Sequence, residues 1–240
     1  MRLTLGIDEA GRGPILGPMV LAAVALRSRA AAALTRAGVA DSKAFVGPDA
    51  HEARSALVPI ILDAAEHVDL RVVDVEAIDA ACAERGLNRL EQRTAAHLID
   101  HAPAVHRIVC DGARLFAPLA ARYAHLEARD RGESVHVAVA AASIVAKVRR
   151  DEIFATIWAR YAPRLGLPAA PRGGGYLNDA TRAFLRALVA DTGTLPPEGR
   201  RSWPWHFVPG MARDGGMLSR DDAAEESLDA LRDDALPRRV

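Results

Sequence analysis

Residues 19–27, MVLAAVALR, are apolar at every position before the closing arginine. The run is too short to span a bilayer. It follows a turn rich in glycine and proline and is apolar throughout, so it reads as a buried strand. A strand without a polar face needs cover, and the rest of the chain offers it. Residues 2–7 read as a short strand ending at Asp8, 68–75 alternate as a strand, and 105–110 form a strand ending at Asp111. Residues 135–139 are expected as a further strand. Helical spacing occurs at 50–66, at 76–101 with a break near Gly86, at 114–126, at 140–160 and at 179–191. Strands alternating with helices predict a layered α/β domain.

Composition narrows the class. Half of the 240 residues are hydrophobic, enough for a sizeable core. No uncharged apolar stretch of about 18 residues is present, so no membrane partner is expected. The opening MRLTLGIDEA lacks the features of a secretory leader, and Cys82 and Cys110 make neither a disulfide framework nor a zinc cluster. A cytoplasmic protein is expected. The 31 basic and 31 acidic residues cancel, yet residues 209–240 hold eight acids and five arginines, a balance of −3. That tail is expected to be disordered, with 1–208 as the folded unit. Only Lys43 and Lys147 are lysines, against 29 arginines. A compact ammonium kept twice in so arginine-biased a chain marks those places for inspection.

Acids at strand ends carry the first chemical signal. Asp8 and Glu9 close the first strand, and Asp111 closes a later one in VCDG. Open α/β sheets keep their sites at such rims. Clustered carboxylates repel, and a hard divalent cation such as Mg²⁺ or Mn²⁺ removes that repulsion. Gly11-Arg12-Gly13-Pro14 follows at once, a loop whose backbone can approach a ligand closely. No Gly-Lys-Ser/Thr follows, so it is not a P-loop.

These residues resemble a known family. Gly6-Ile7-Asp8-Glu9-Ala10-Gly11-Arg12-Gly13-Pro14 is similar to the opening signature of type 2 ribonuclease H, the ribonuclease HII family. Asp41-Ser42-Lys43, Asp111-Gly112, and Ala141-Ala142-Ser143-Ile144-Val145-Ala146-Lys147-Val148 with Arg150-Asp151 resemble its next motifs in order. Gly175-Tyr176 and Arg200-Arg201-Ser202-Trp203 resemble its C-terminal ones. The resemblance implies a ribonuclease-H-like fold: a mixed five-stranded sheet with flanking helices and a helical extension from about residue 150. It implies an endoribonuclease that degrades the RNA strand of RNA/DNA hybrids and incises 5′ of ribonucleotides embedded in duplex DNA, leaving 3′-hydroxyl and 5′-phosphate ends. Two divalent ions would be held by four acids, three of them Asp8, Glu9 and Asp111. Gly11, Arg12 and Gly13 would read the ribose 2′-hydroxyl, with Tyr176 against the sugar. Ser42, Lys43, Ser143 and Lys147 would face phosphates or support the site. A monomer is expected, and no clamp-binding peptide is recognisable.

The fourth acid departs from the family pattern. Counting back ten from Ser143 reaches Glu133 in Arg131-Gly132-Glu133-Ser134, where the family has aspartate. Asp130 serves instead only if the loop shifts. Asp151 matches a family position that is not a metal ligand. Ala113 and Leu177-Asn178 also depart from the pattern. Two other readings remain: a degenerate homologue that binds hybrid duplexes but cleaves poorly, and a metal-dependent phosphohydrolase of small molecules.

Overall fold

The computed structural model describes residues 2–39, 45–47, 49–168, 170 and 174–209. Its centre is one mixed sheet of five strands in the order β3-β2-β1-β4-β5. These strands are β1 (Leu3–Ala10), β2 (Met19–Arg27), β3 (His67–Val73), β4 (Arg107–Asp111) and β5 (Leu126–Arg129). β2 runs antiparallel to β1 and β3, while β4 and β5 run parallel to β1.

The apolar run becomes β2, and it is covered on both sides. Val20, Ala22, Val24 and Leu26 pack beneath α1 (Ser28–Arg36), α2 (Ala50–Ala64) and α7 (Val137–Tyr161). Met19, Leu21, Ala23 and Ala25 face α3 (Val75–Ala83) and α4 (Leu87–His101). The two-residue side-chain period divides one apolar segment between two cores. The other helices are α5 (Ala113–Phe116), α6 (Gly132–Val135) and α8 (Asp179–Thr192). A third core joins the C-terminal half of α7 to α8 and the final segment. There Trp158 stacks on Phe184 at 4.5 Å, and Trp205 is fully buried. No helix among the described residues is long and apolar enough to cross a membrane.

The helix that matters most is α7. Its first ten residues beyond Val137 are buried almost without interruption, because small alanines let it lie flat on β1 and β2. Gly6 makes the contact possible: a β-carbon there would stand 2.2 Å from the Ala138 carbonyl carbon. This is the close backbone approach that only glycine allows.

Four expectations need correction. Residues 135–139 are not a strand. The alternation in VHVAV imitates one, but the segment ends α6 and begins α7, and the His136 ring caps α7 by accepting from the Ala138 N–H (3.2 Å). Residues 114–126 are not one helix: α5 is four residues long, a 3-10 turn spans Ala117–Ala121, and the fifth strand starts at Leu126. β5 is a short edge strand, with too few residues to display a period. β1 continues past Asp8 to Ala10, so both acids lie within the strand. Finally, a helix stands at 28–36 where none was expected; the alanines of α1 carry little pattern. The expected break at Gly86 is present, where α4 begins. Residues 210–240 lie outside the described residues.

The Gly6 contact yields a test. Gly6→Ala is expected to lower stability by on the order of 3 kcal/mol or to prevent folding, since backbone must move to admit one methyl. Thermal unfolding followed by circular dichroism measures it; an unchanged midpoint would show that α7 can lift from β1 freely.

Candidate active site

Alternation along β1 sets the site. Leu3, Leu5 and Ile7 point into the core below α3 and α4, so Asp8 points to the α7 side. On β4, Ile108 and Cys110 share that core, so Asp111 shares the side of Asp8. The parallel register pairs Ile7 with Cys110, which sets Asp8, two residues before the end of β1, beside Asp111 at the end of β4. Asp8 is 5% exposed. Ser143, delivered by α7, hydrogen-bonds its carboxylate, and the Glu9 N–H donates to Asp8 Oδ1 (2.8 Å). Burial, then the charges of Glu9 and Asp111, hold the Asp8 carboxyl well above the usual carboxylate range.

Asp111 also organises the loop ahead of α7. The Gly132 N–H donates to Asp111 Oδ1 (2.7 Å), which brings the backbone next to Glu133 against the acid pair. The Glu133 side chain lies outside what is described. Asp130 is engaged elsewhere, where its Oδ1 accepts from the Ala113 N–H (2.8 Å) at the start of α5. Among the described residues no three His, Cys, Asp or Glu side chains are grouped so as to hold a metal ion. They do place a buried carboxyl in the field of two others, a charge arrangement that a divalent cation relieves.

The glycine loop is held from beneath by two arginines to which sequence reasoning gave no role. Arg200, fully buried, donates Nε–H to the Gly17 carbonyl (2.9 Å) and Nη1–H to the Arg12 carbonyl (2.8 Å), and Nη2 reaches the Gly11 carbonyl. Arg150, 1% exposed, reaches the Leu16 carbonyl from α7. Burial lowers both guanidinium pKa values to about 10. Gly11 sits at φ +90, and a β-carbon there would strike Arg150 Nε at 2.6 Å. The Trp203 ring N–H donates to the Gly13 carbonyl (2.9 Å), and the Tyr176 ring edge lies 3.0 Å from where a Gly13 β-carbon would be. The chain thus brings residues almost 190 positions apart onto one loop. The only sequence signal was that Arg150 and Arg200 fall inside the family-like motifs.

The remaining expected residues divide. The Arg12 side chain turns to α4, where it pairs with fully buried Glu91 and with Asn88 (2.8 Å). Lys147 pairs with Asp151 one turn along α7, and Asp151 also meets Arg54 at 3.5 Å. Tyr176 is half exposed. Ser42 and Lys43 lie outside the described residues.

Comparison with known proteins decides the family. The sequence model of Ribonuclease HII matches residues 5–204. The chain belongs to the ribonuclease HII family. A ribonuclease HII of Pyrobaculum neutrophilum is 38% identical over 211 residues, covering 85% of this chain and 96% of the relative. The solved ribonuclease H2 of Pyrococcus horikoshii superposes with a TM-score of 0.71 at 26% identity, over 84% of this chain and 93% of that one. The RNase HII in the PCNA:RNase HII complex of Archaeoglobus fulgidus shares the fold, with a TM-score of 0.69 at 23% identity over 92% and 99% of the two chains. As a ribonuclease HII, the protein is a metal-dependent endoribonuclease acting on RNA/DNA hybrids.

Two outcomes follow from this geometry. A carboxyl whose folded pKa is raised binds its proton more tightly when folded, so its contribution to stability is full below the unfolded value and is lost as pH rises through the folded one. Metal-free protein is therefore expected to lose stability as pH rises from about 4. In Asp8→Asn that loss should be largely absent. Urea unfolding across pH measures both, and identical pH slopes would remove the buried charge as its cause. Arg200→Lys is expected to cost on the order of 3 kcal/mol, since one ammonium cannot serve three divergent carbonyls. Calorimetry checks this against Arg201→Lys, whose side chain is exposed.

Proposed function

We propose that residues 1–208 form a catalytic domain that incises the ribonucleotide strand by two-metal phosphodiester hydrolysis, including 5′ of a single ribonucleotide in duplex DNA. The observation that carries this reading is the juxtaposition of Asp8 and Asp111 on adjacent parallel strands, with Gly132 tied to Asp111. Asp8, Glu9, Asp111 and Glu133 would hold Mg²⁺ or Mn²⁺. Bound there, such ions supply an activated water and stabilise the leaving oxygen. The chain's own part is to orient the carboxylates. Ser143 fixes Asp8, and the Gly132 N–H fixes Asp111.

Selectivity for ribose fits the Gly11–Gly13 loop, where backbone groups can meet a 2′-hydroxyl without reading base sequence. With the Arg12 side chain engaged by Glu91, recognition in this reading falls to the loop backbone and to Tyr176 beside Gly13. Lys147, and Lys43 outside the described residues, would meet phosphates. Complex formation with PCNA is a property of the Archaeoglobus relative; residues 210–240 carry no recognisable clamp-binding peptide, and this reading includes none.

The test is a duplex carrying one ribonucleotide, an RNA/DNA hybrid and an all-DNA duplex, each with Mg²⁺, Mn²⁺ or chelator. Nicking 5′ of the ribonucleotide and an intact DNA duplex are expected, and chelator should stop the reaction. Asp8→Asn and Asp111→Asn should each lower turnover by orders of magnitude; near-normal turnover in either removes the two-metal reading. Between the candidate fourth acids, Glu133→Ala should be nearly inactive. Asp130→Ala should keep its activity and lose about 1 kcal/mol of stability with the α5 contact. The reverse pattern would transfer the metal role to Asp130.

A further inference from the structure

The end of the sheet opposite the carboxylates holds a cavity of about 620 Å³. It opens at the first residues of β1, β4 and β5, on the α7 side. Thr4, in its wall, lies four residues before Asp8 on β1, about 13 Å away at the usual strand rise. It is therefore separate from the site described above.

Its polar lining consists almost wholly of donors. Arg2 and Arg107 line it, as do His106, His125 and His136. Two of those rings have a tautomer set by the fold. His106 Nδ1 accepts from the Leu3 N–H (3.3 Å), and His136 Nδ1 accepts from the Ala138 N–H (3.2 Å). An imidazole whose Nδ1 is an acceptor carries its proton on Nε2, so each ring presents an N–H rather than a lone pair. That is unsuited to a metal and suited to an anion. The one carboxylate in the wall, Glu127, is already engaged by two cations: Arg107 at 2.7 and 2.9 Å and Arg129 at 2.8 Å. With Arg129, which does not itself line the cavity, one acid stands against three arginines. Ser28, the first residue of α1, also lines the cavity, and no side chain caps that helix. His136 stands at the start of the 25-residue α7.

We propose that this cavity is an oxyanion site that takes a phosphate group. The volume exceeds that of inorganic phosphate and admits a mononucleotide or the end of a nucleic-acid strand. Electrostatics agree with the geometry. Burial, then Arg107, lower the His136 pKa against the opposing pull of Glu127, with Arg129 adding to the lowering. An anion bound there would raise it.

The experiment follows the histidine ring resonances of the full chain by NMR. Sulfate is the first probe, because its charge does not change between about pH 5 and 8. It is expected to shift His106 and His136, to raise the titration midpoint of His136, and to bind about tenfold more weakly at about pH 8 than at about pH 5.5 as the His136 imidazolium is lost. The double variant Arg2→Gln/His106→Gln should weaken binding at least tenfold and still cleave hybrid. His136→Asn, whose side chain can still cap α7, should flatten the pH dependence. Inorganic phosphate, 5′-AMP and a short all-DNA duplex separate the sources. Tighter binding of 5′-AMP at the same rings identifies a nucleotide site, and shifts with duplex at sub-millimolar concentration identify a strand contact. The proposal is overturned if about 50 mM sulfate moves neither ring, or if the double variant binds as the parent does.

Discussion

Everything in the site depends on how closely α7 lies on β1. Gly6 and the run of alanines from Ala138 remove the side chains that would hold helix and strand at the usual separation. Because the contact is backbone to backbone, it leaves α7 little room to slide. Ser143 therefore reaches Asp8, and two turns later Arg150 reaches the glycine loop. One packing constraint places both the support of the acid and the support of the loop. Buried Asp8 is tolerable because the serine hydroxyl and the Glu9 N–H satisfy it, although its charged form remains disfavoured.

Charge in this molecule is distributed by role. Carboxylates gather at one end of the sheet, on the ends of β1 and β4. The glycine loop beside them is held by guanidiniums acting on carbonyls rather than on acids. Arg200 thus ties three carbonyls of the loop without neutralising any carboxylate of the site. A guanidinium suits this work because its fan of N–H groups serves several acceptors in fixed directions. Arg12 is the exception, since its partner is the buried Glu91 of α4, which anchors the loop from the other side of the sheet. At the far end the balance reverses, with arginines and histidines outnumbering the single Glu127.

Much of the fold was legible locally. The uninterrupted apolar run announced β2, and the helical spacing of α2, α4, α7 and α8 came close to their observed limits. What failed were short or ambiguous segments. VHVAV has a strand's alternation, yet His136 caps a helix there, because the cover that α7 provides to β1 and β2 outweighs local preference. β5 is four residues long and exists only because β4 offers it an edge.

For the site, the sequence by itself determined which chemistry the chain can carry. Acids stand at strand ends, glycines follow them, and the ordered motifs match one family. Only the tertiary structure decided what each charged group does. Asp130 and Glu133 are carboxylates three residues apart, yet Asp130 accepts from the N–H of Ala113, while Gly132, the neighbour of Glu133, donates to Asp111. Arg12 reads as a ligand-facing cation until Glu91, 79 positions later, is seen to hold it. Local periodicity reports neighbours within a turn or a pleat. The partner of a charge is chosen by which distant segment the packed core brings within hydrogen-bond reach.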